Sequence, residues 1–201
     1  MAENKISEEY RKYLISFTLL GEEYFTVWGT DLEDNEIDKL IVNEKGEMIF
    51  STDFESLKDY LLSNTQLLFD KSNFLNWLKK SEKTRPYATY DLDYVETLID
   101  LNQFFFKGEY RELLIEVFNL LNLTSDIAYQ NNDKELLEII ENQNTQIFID
   151  YIYTVYFWNS SKDQILAIEA RVRKEFESKL FIEQLRKLLD YFRRIIPLVL
   201  G

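Results

Sequence analysis

Residues 22–38 read EEYFTVWGTDLEDNEID, seven carboxylates with one tyrosine, one tryptophan and no lysine or arginine. Closely spaced acids can hold a divalent cation, move a proton, or meet the cations of a protein partner. Asp31-x-Glu33-x-Asn35 alternates oxygen ligands as a calcium loop does. Glu36, however, stands where such a loop needs glycine, and Val42 where it needs a bidentate glutamate. No metal site is expected. Two suitably spaced acids suffice for glycoside hydrolysis, but thirty-six acids single out no pair.

Other catalytic chemistry is narrowed by what the chain lacks. With no cysteine there is no thiolate nucleophile, thiolate metal site or disulfide, and with no histidine the commonest general base and transition-metal ligand are missing. The five glycines are dispersed, so no phosphate-cradling loop forms, and no serine has the flanking glycines of a nucleophile elbow. The expectation is a non-catalytic protein without a cofactor.

What remains is recognition. The net charge of −13 is concentrated early: residues 1–60 hold fifteen acids and six bases, residues 61–201 twenty-one and seventeen. A negative field repels phosphate backbones and anionic headgroups and speeds encounter with basic proteins. Neither nucleic acid nor a membrane surface is an expected partner. The bases Arg171, Arg173, Lys174, Lys179, Arg186, Lys187, Arg193 and Arg194 read as a solvated face of the last helix. The candidate binding residues are Tyr24 and Trp28 as large anchors, ringed by Asp31, Glu33, Asp34, Glu36 and Asp38. The competing reading is a solvated hairpin whose acids protect an edge strand.

The elements that must position these residues follow from period and punctuation. Residues 14–20 and 24–28 read as strands joined near Gly21 and Glu22, and residues 37–42 and 47–50 as a second pair about the turn Asn43-Glu44-Lys45-Gly46. Four antiparallel strands are expected. Thr52 and Glu55 have capping-box spacing ahead of a helix with Phe54, Leu57 and Leu61 on one face. Alternation puts Phe25 and Val27 toward that helix and Tyr24, Thr26 and Trp28 on the other side.

Thereafter the period is helical: Phe74, Trp77 and Leu78; Tyr94 to Phe105, capped by Asp91 or Asp93 and turning at Gly108; Leu113 to Leu121; and a run from Asn132 or Asp133. Residues 147–158 read as a buried helix, and a last stripe starts at Ser160 or Ser161 and continues to Pro197. The fold class is α+β: a small N-terminal antiparallel sheet with a covering helix, then a mostly α-helical bundle. The expected domains are residues 1–65 and 66–201, packed as one continuous structure. The N-terminus lacks the basic and apolar regions of a secretory signal, and no apolar run is long enough to span a bilayer, so a cytoplasmic location is expected.

Residues 25–62 resemble the opening of some bacterial immunity proteins that protect a cell from contact-dependent growth-inhibition or other polymorphic toxins. The shared features are the Trp28 before an acidic turn, a strand ending at Val42 and Asn43, the Gly46 turn, a strand to Phe50 and the short helix after it. The resemblance implies a protein that neutralises a cognate basic toxin, a nuclease, by tight association, as a monomer or weak homo-oligomer. It assigns no individual site residue. The alternative is a structural or adaptor protein that oligomerises through its helical half.

Overall fold

The computed structural model describes residues 2–81, 85–100, 106 and 108–196. The chain forms two compact units, Met1–Asp93 with Phe192–Gly201, and Tyr94–Tyr191.

The first unit opens with helix α1 (Ala2–Tyr10) and continues as strands β1 (Lys12–Leu19), β2 (Glu22–Asp31) and β3 (Ile37–Leu40). The β1–β2 turn is Leu20-Gly21, both at positive φ, as a two-residue hairpin turn requires. Asp93 holds it, accepting from the backbone N–H of Leu20 and of Gly21 at 2.8 Å each. Helices α2 (Phe54–Ser63) and α3 (Lys71–Lys80) follow, then strand β4 (Ala88–Asp91). The sheet order is β3-β2-β1-β4.

One face of this sheet gives Leu14, Val27 and the half-buried Phe25 to a core shared with Leu57 and Leu61 of α2 and Phe74, Trp77 and Leu78 of α3. Each such large apolar side chain, fully buried, contributes about 1.5–3 kcal/mol. On the other face Phe17 stacks on Tyr90 and meets Phe50 and Phe192. Being central, β1 is buried on both sides along nearly its whole length, so that even Lys12 and Ser16 are enclosed.

Three local expectations are corrected. The sheet is mixed, since its fourth strand is β4, parallel to β1 in the register Ile15↔Ala88 to Thr18↔Asp91. Residues 47–50 form no strand; Met48 makes a single bridge to Val42, and Ser51 another to Phe25. The Asn43–Gly46 turn stands as expected, with the Gly46 N–H donating to the Asn43 carbonyl at 2.9 Å and Gly46 at φ +79. Finally, Asp53 rather than Thr52 caps α2, its carboxylate accepting the Ser56 N–H at 2.8 Å. Both sit before the same helix, and the carboxylate is the stronger acceptor for a helix-end amide.

The second unit is helical: α4 (Leu92–Asp100), which begins in the first unit, then α5 (Arg111–Asn131), α6 (Lys134–Ile140), α7 (Gln143–Ile152), α8 (Lys162–Glu175) and α9 (Ser178–Ile195), whose last residues, from Phe192, belong to the first unit. The expected continuation of the first of these to Phe105 lies outside the described residues. Asp133 caps α6, and Ser161 with Gln164 forms a capping box on α8. Residues 143–157 are helical, with α7 running into a π-helix at Tyr153–Phe157; Ile147, Phe148 and Ile152 are buried, whereas Phe157 and Trp158 are exposed. The last stripe is two helices, not one. At the break the Glu177 N–H donates to the buried Asn144 Oδ1 at 2.8 Å, so an amide from α7 replaces the helical bond that would have continued α8.

Candidate functional site

The acidic stretch is the outer part of the β2–β3 hairpin, where Asp31 pairs with Ile37 and Thr30 with Asp38. Between them two turns succeed one another: the Asp34 N–H donates to the Asp31 carbonyl at 3.3 Å and the Ile37 N–H to the Asp34 carbonyl at 3.1 Å. Asn35 and Glu36 both take positive φ, 52° and 57°, in the second turn. Asparagine tolerates that region, whereas glutamate is strained there and must be held by its surroundings.

What holds it is a set of charges from just outside the acidic stretch. Lys39 Nζ lies 2.8 Å from Asp31 Oδ2 and 2.7 Å from Asp34 Oδ2, clamping the first turn. Arg11 reaches Glu36 at 2.9 Å across the second. Asp31 is buried and also accepts the Glu33 N–H at 3.0 Å, while Asp38 accepts from Thr30 Oγ1 at 2.7 Å. The hydrogen bond and charge of Lys39 hold the Asp34 carboxyl below its ordinary value. Burial by itself would lower Lys39, but the hydrogen bonds of Asp31 and Asp34 leave it raised. The Glu36 hydrogen bond raises Arg11.

The sequence-derived site is thereby divided. Asp31, Asp34 and Glu36 form ion pairs within the fold and Asp38 accepts a hydrogen bond, whereas among the described residues the Glu33 carboxylate has neither. Tyr24 and Trp28 share the strand face opposite Phe25 and Val27, both half-buried. Trp28 packs on Tyr13 with ring centroids 5.4 Å apart, and Tyr13 on Tyr87 at 4.6 Å. Burial, with the nearby Glu8, pushes the Tyr13 phenol up to about 12. At the strand rise of about 3.3 Å per residue, Trp28 lies roughly 10 Å and Tyr24 roughly 23 Å along β2 from Asp31.

Two residues at the tip went unread. Leu32 is 43% exposed and Ile37 47%, so the turn that the acids and Lys39 fasten presents apolar side chains outward. The available signal was local: Leu32 stands alone between Asp31 and Glu33, in a polar turn with no helix or strand period to assign it to a core.

A second set of groups supports the base of the hairpin. Lys12 is fully buried, with its ammonium 3.1 Å from Asp70 Oδ2, 2.6 Å from the Thr30 carbonyl and 3.3 Å from the Tyr10 carbonyl, and 5.2 Å from the centroid of Phe69. All three ammonium donors are used. Burial lowers its pKa, and Asp70 opposes the shift. The space for it exists because its cross-strand neighbour is Gly29; a Cβ there would stand 2.4 Å from the Arg11 carbonyl oxygen and 2.8 Å from Lys12 Cδ.

Among the described residues no three acids gather as a metal site would require, and no helix is long and apolar enough to cross a membrane. The bases of α8 and α9 are in part paired internally: Arg171 with Asp150 at 2.7 Å and Glu175 at 3.4 Å, and Lys187 with Glu138 at 3.8 Å.

No protein-family model matches the chain, and no curated protein matches it. Among solved structures it is similar to the crystal structure of the SatS C-terminal domain in complex with bromine, with 12% identity, 94% of each chain covered and a TM-score of 0.53. At that identity the likeness describes the fold alone.

Proposed function

We propose that this chain is a non-catalytic binding protein that engages a basic protein through the tip of the β2–β3 hairpin. The observation that carries the reading is the pair of outward apolar side chains, Leu32 and Ile37, on a turn fastened by Lys39 and Arg11. A preformed turn loses little conformational entropy on binding, so its apolar contacts are retained as affinity. Glu33 and the surrounding negative field steer a cationic partner and favour fast association. Trp28, half-buried on Tyr13, stands behind the tip on the same strand.

The resemblance at residues 25–62 gives the partner its class: a basic toxin domain, a nuclease, neutralised in the cytoplasm by one-to-one association. The test is the melting temperature of the chain with basic nuclease domains of such toxins, at low and high salt. A ligand bound only by the folded state adds about 4 kcal/mol at roughly a thousandfold excess over its Kd. A rise that shrinks with salt and disappears in Leu32→Asp/Ile37→Asp supports the proposal. A rise retained by that variant places the contact elsewhere.

A further inference from the structure

Helix α8 is held on one side and open on the other. Of its fourteen residues only Ile168 is buried, while Asp163, Leu166, Ala167, Ala170, Arg173 and Lys174 are exposed. Asp163, Ala167, Ala170 and Lys174 succeed one another at intervals of four, three and four, which aligns them as one seam on the side away from Ile168. Leu166, 48% exposed, borders the seam on one flank. On the other flank is a hollow of about 320 Å³ whose lining includes Trp158, Gln164, Ala167 and Arg171, and Trp158 is itself 62% exposed.

The seam is self-complementary when reversed. It reads acid, small, small, base from the N-terminal to the C-terminal end. We propose that α8 is the contact helix of a two-fold homodimer, packed antiparallel on α8 of a second copy. Ala167 meets Ala170 at the crossing and Asp163 meets Lys174 at both ends, and the same register sets Lys162 beside Glu175. The two alanines let the helix axes approach to about 8 Å, the near end of the usual range. The second α8 covers Leu166 and the edge of Trp158, the apolar groups beside the seam.

The charges select this occupant. Asp163 has no ion pair among the described residues, and Lys174 reaches only the adjacent Glu175 at 3.6 Å. A different partner would have to present the same order in reverse, which α8 does by symmetry. An isologous two-fold contact satisfies both ends at once. One short helix pair is a small interface, so the dimer is reversible in the micromolar range. The inference does not rest on the hairpin reading, which uses other residues.

The test is sedimentation velocity of the full chain from about 1 to about 200 μM, spanning the expected Kd. The wild type should pass from monomer to dimer across that range. Ala170→Arg should remain monomeric, with an unchanged melting temperature because the site is exposed. Asp163→Lys should weaken the dimer about three- to tenfold, as expected for losing exposed ion pairs twice over. Asp163→Lys/Lys174→Asp should restore it. Should Ala170→Arg prove poorly folded, the charge-swap series decides alone. A wild type that stays monomeric, a dimer that survives Ala170→Arg in folded form, or a swap that does not restore association would overturn the proposal.

Discussion

Lys12 and Asp70 form a buried ion pair at 3.1 Å, and the same ammonium donates to the Thr30 carbonyl at 2.6 Å, in the strand that carries the acidic hairpin. Asp70 in turn accepts from Asn73 Nδ2 at 2.9 Å and takes a left-handed conformation at φ 45°. The hairpin base is therefore bound to the start of α3 through one side chain. Removing one member of a buried pair leaves the other charge uncompensated and costs about 3–5 kcal/mol. Lys12→Ala should destabilise the chain by that amount in urea unfolding. Lys12→Met/Asp70→Asn, which removes both charges and keeps a residue that accepts the left-handed backbone, should recover more than half of the loss.

Gly29 makes room for that lysine, and the obstacle to a side chain there is mainly backbone. The Arg11 carbonyl oxygen would lie 2.4 Å from the new Cβ. Gly29→Ala must displace one strand against the other, at about 1–3 kcal/mol by analogy with overpacked cores. The measurement is the urea midpoint, and Gly21→Ala offers a contrast: no atom lies within 4 Å there, so any loss comes from its φ of +76° alone.

The helix cap distinguishes two neighbouring residues. Asp53→Ala should cost about 1 kcal/mol, the usual loss of a side-chain cap, whereas Thr52→Ala should stay within about 0.5 kcal/mol, as exposed substitutions away from such features do. Equal losses in thermal melts would show the cap to be shared.

Much of the frame was legible from local signals. Gly21 and the Asn43–Gly46 turn punctuate the first unit, and the apolar period at Phe54, Leu57 and Leu61 or at Phe74, Trp77 and Leu78 identifies the inward faces of α2 and α3. Long-range partners left no such mark. Ala88–Asp91 is too short, at four residues, to stand out by its pattern, and it is a strand because β1, some seventy residues earlier, offers an edge. Nothing local marks Lys12 as buried, yet in β1 it shares with Leu14 the face toward the core, where Gly29 admits it. The acids of residues 31–38 were visible as a group, but their neutralisation by Lys39 and Arg11 depends on the hairpin closing. The outward turn of Leu32 and Ile37 depends on the same closure.

The pH dependence follows from depressed carboxyls, Asp34 and Asp53 among them. Lys39 holds Asp34 below its ordinary 3.8, and hydrogen bonds from the α2 N-terminus at Ser56 do the same for Asp53. As pH falls through 3.8 the unfolded chain takes up these protons first, so stability present above that value is lost until pH drops below the folded pKa of each group. Melting temperature should fall accordingly on acidification. In Lys39→Met, the Asp34 midpoint followed by carboxyl-carbon NMR should move back up toward 3.8. At the alkaline end, Lys39 is raised above 10.5, so its contribution is present below 10.5 and lost as pH rises through its folded value.

The most direct measurement compares what two immobilised forms of the chain retain from cell extract at low salt: the wild type, and Leu32→Asp/Glu33→Lys/Ile37→Asp with its fold verified by circular dichroism. The account predicts that the wild type retains a basic protein which the variant does not, and which high salt releases. The purified pair should then show slower association with Glu33→Lys and faster dissociation with Ile37→Ala. Identical retained proteins on both forms, or no hairpin-dependent protein at low salt, would contradict the hairpin tip as the recognition surface.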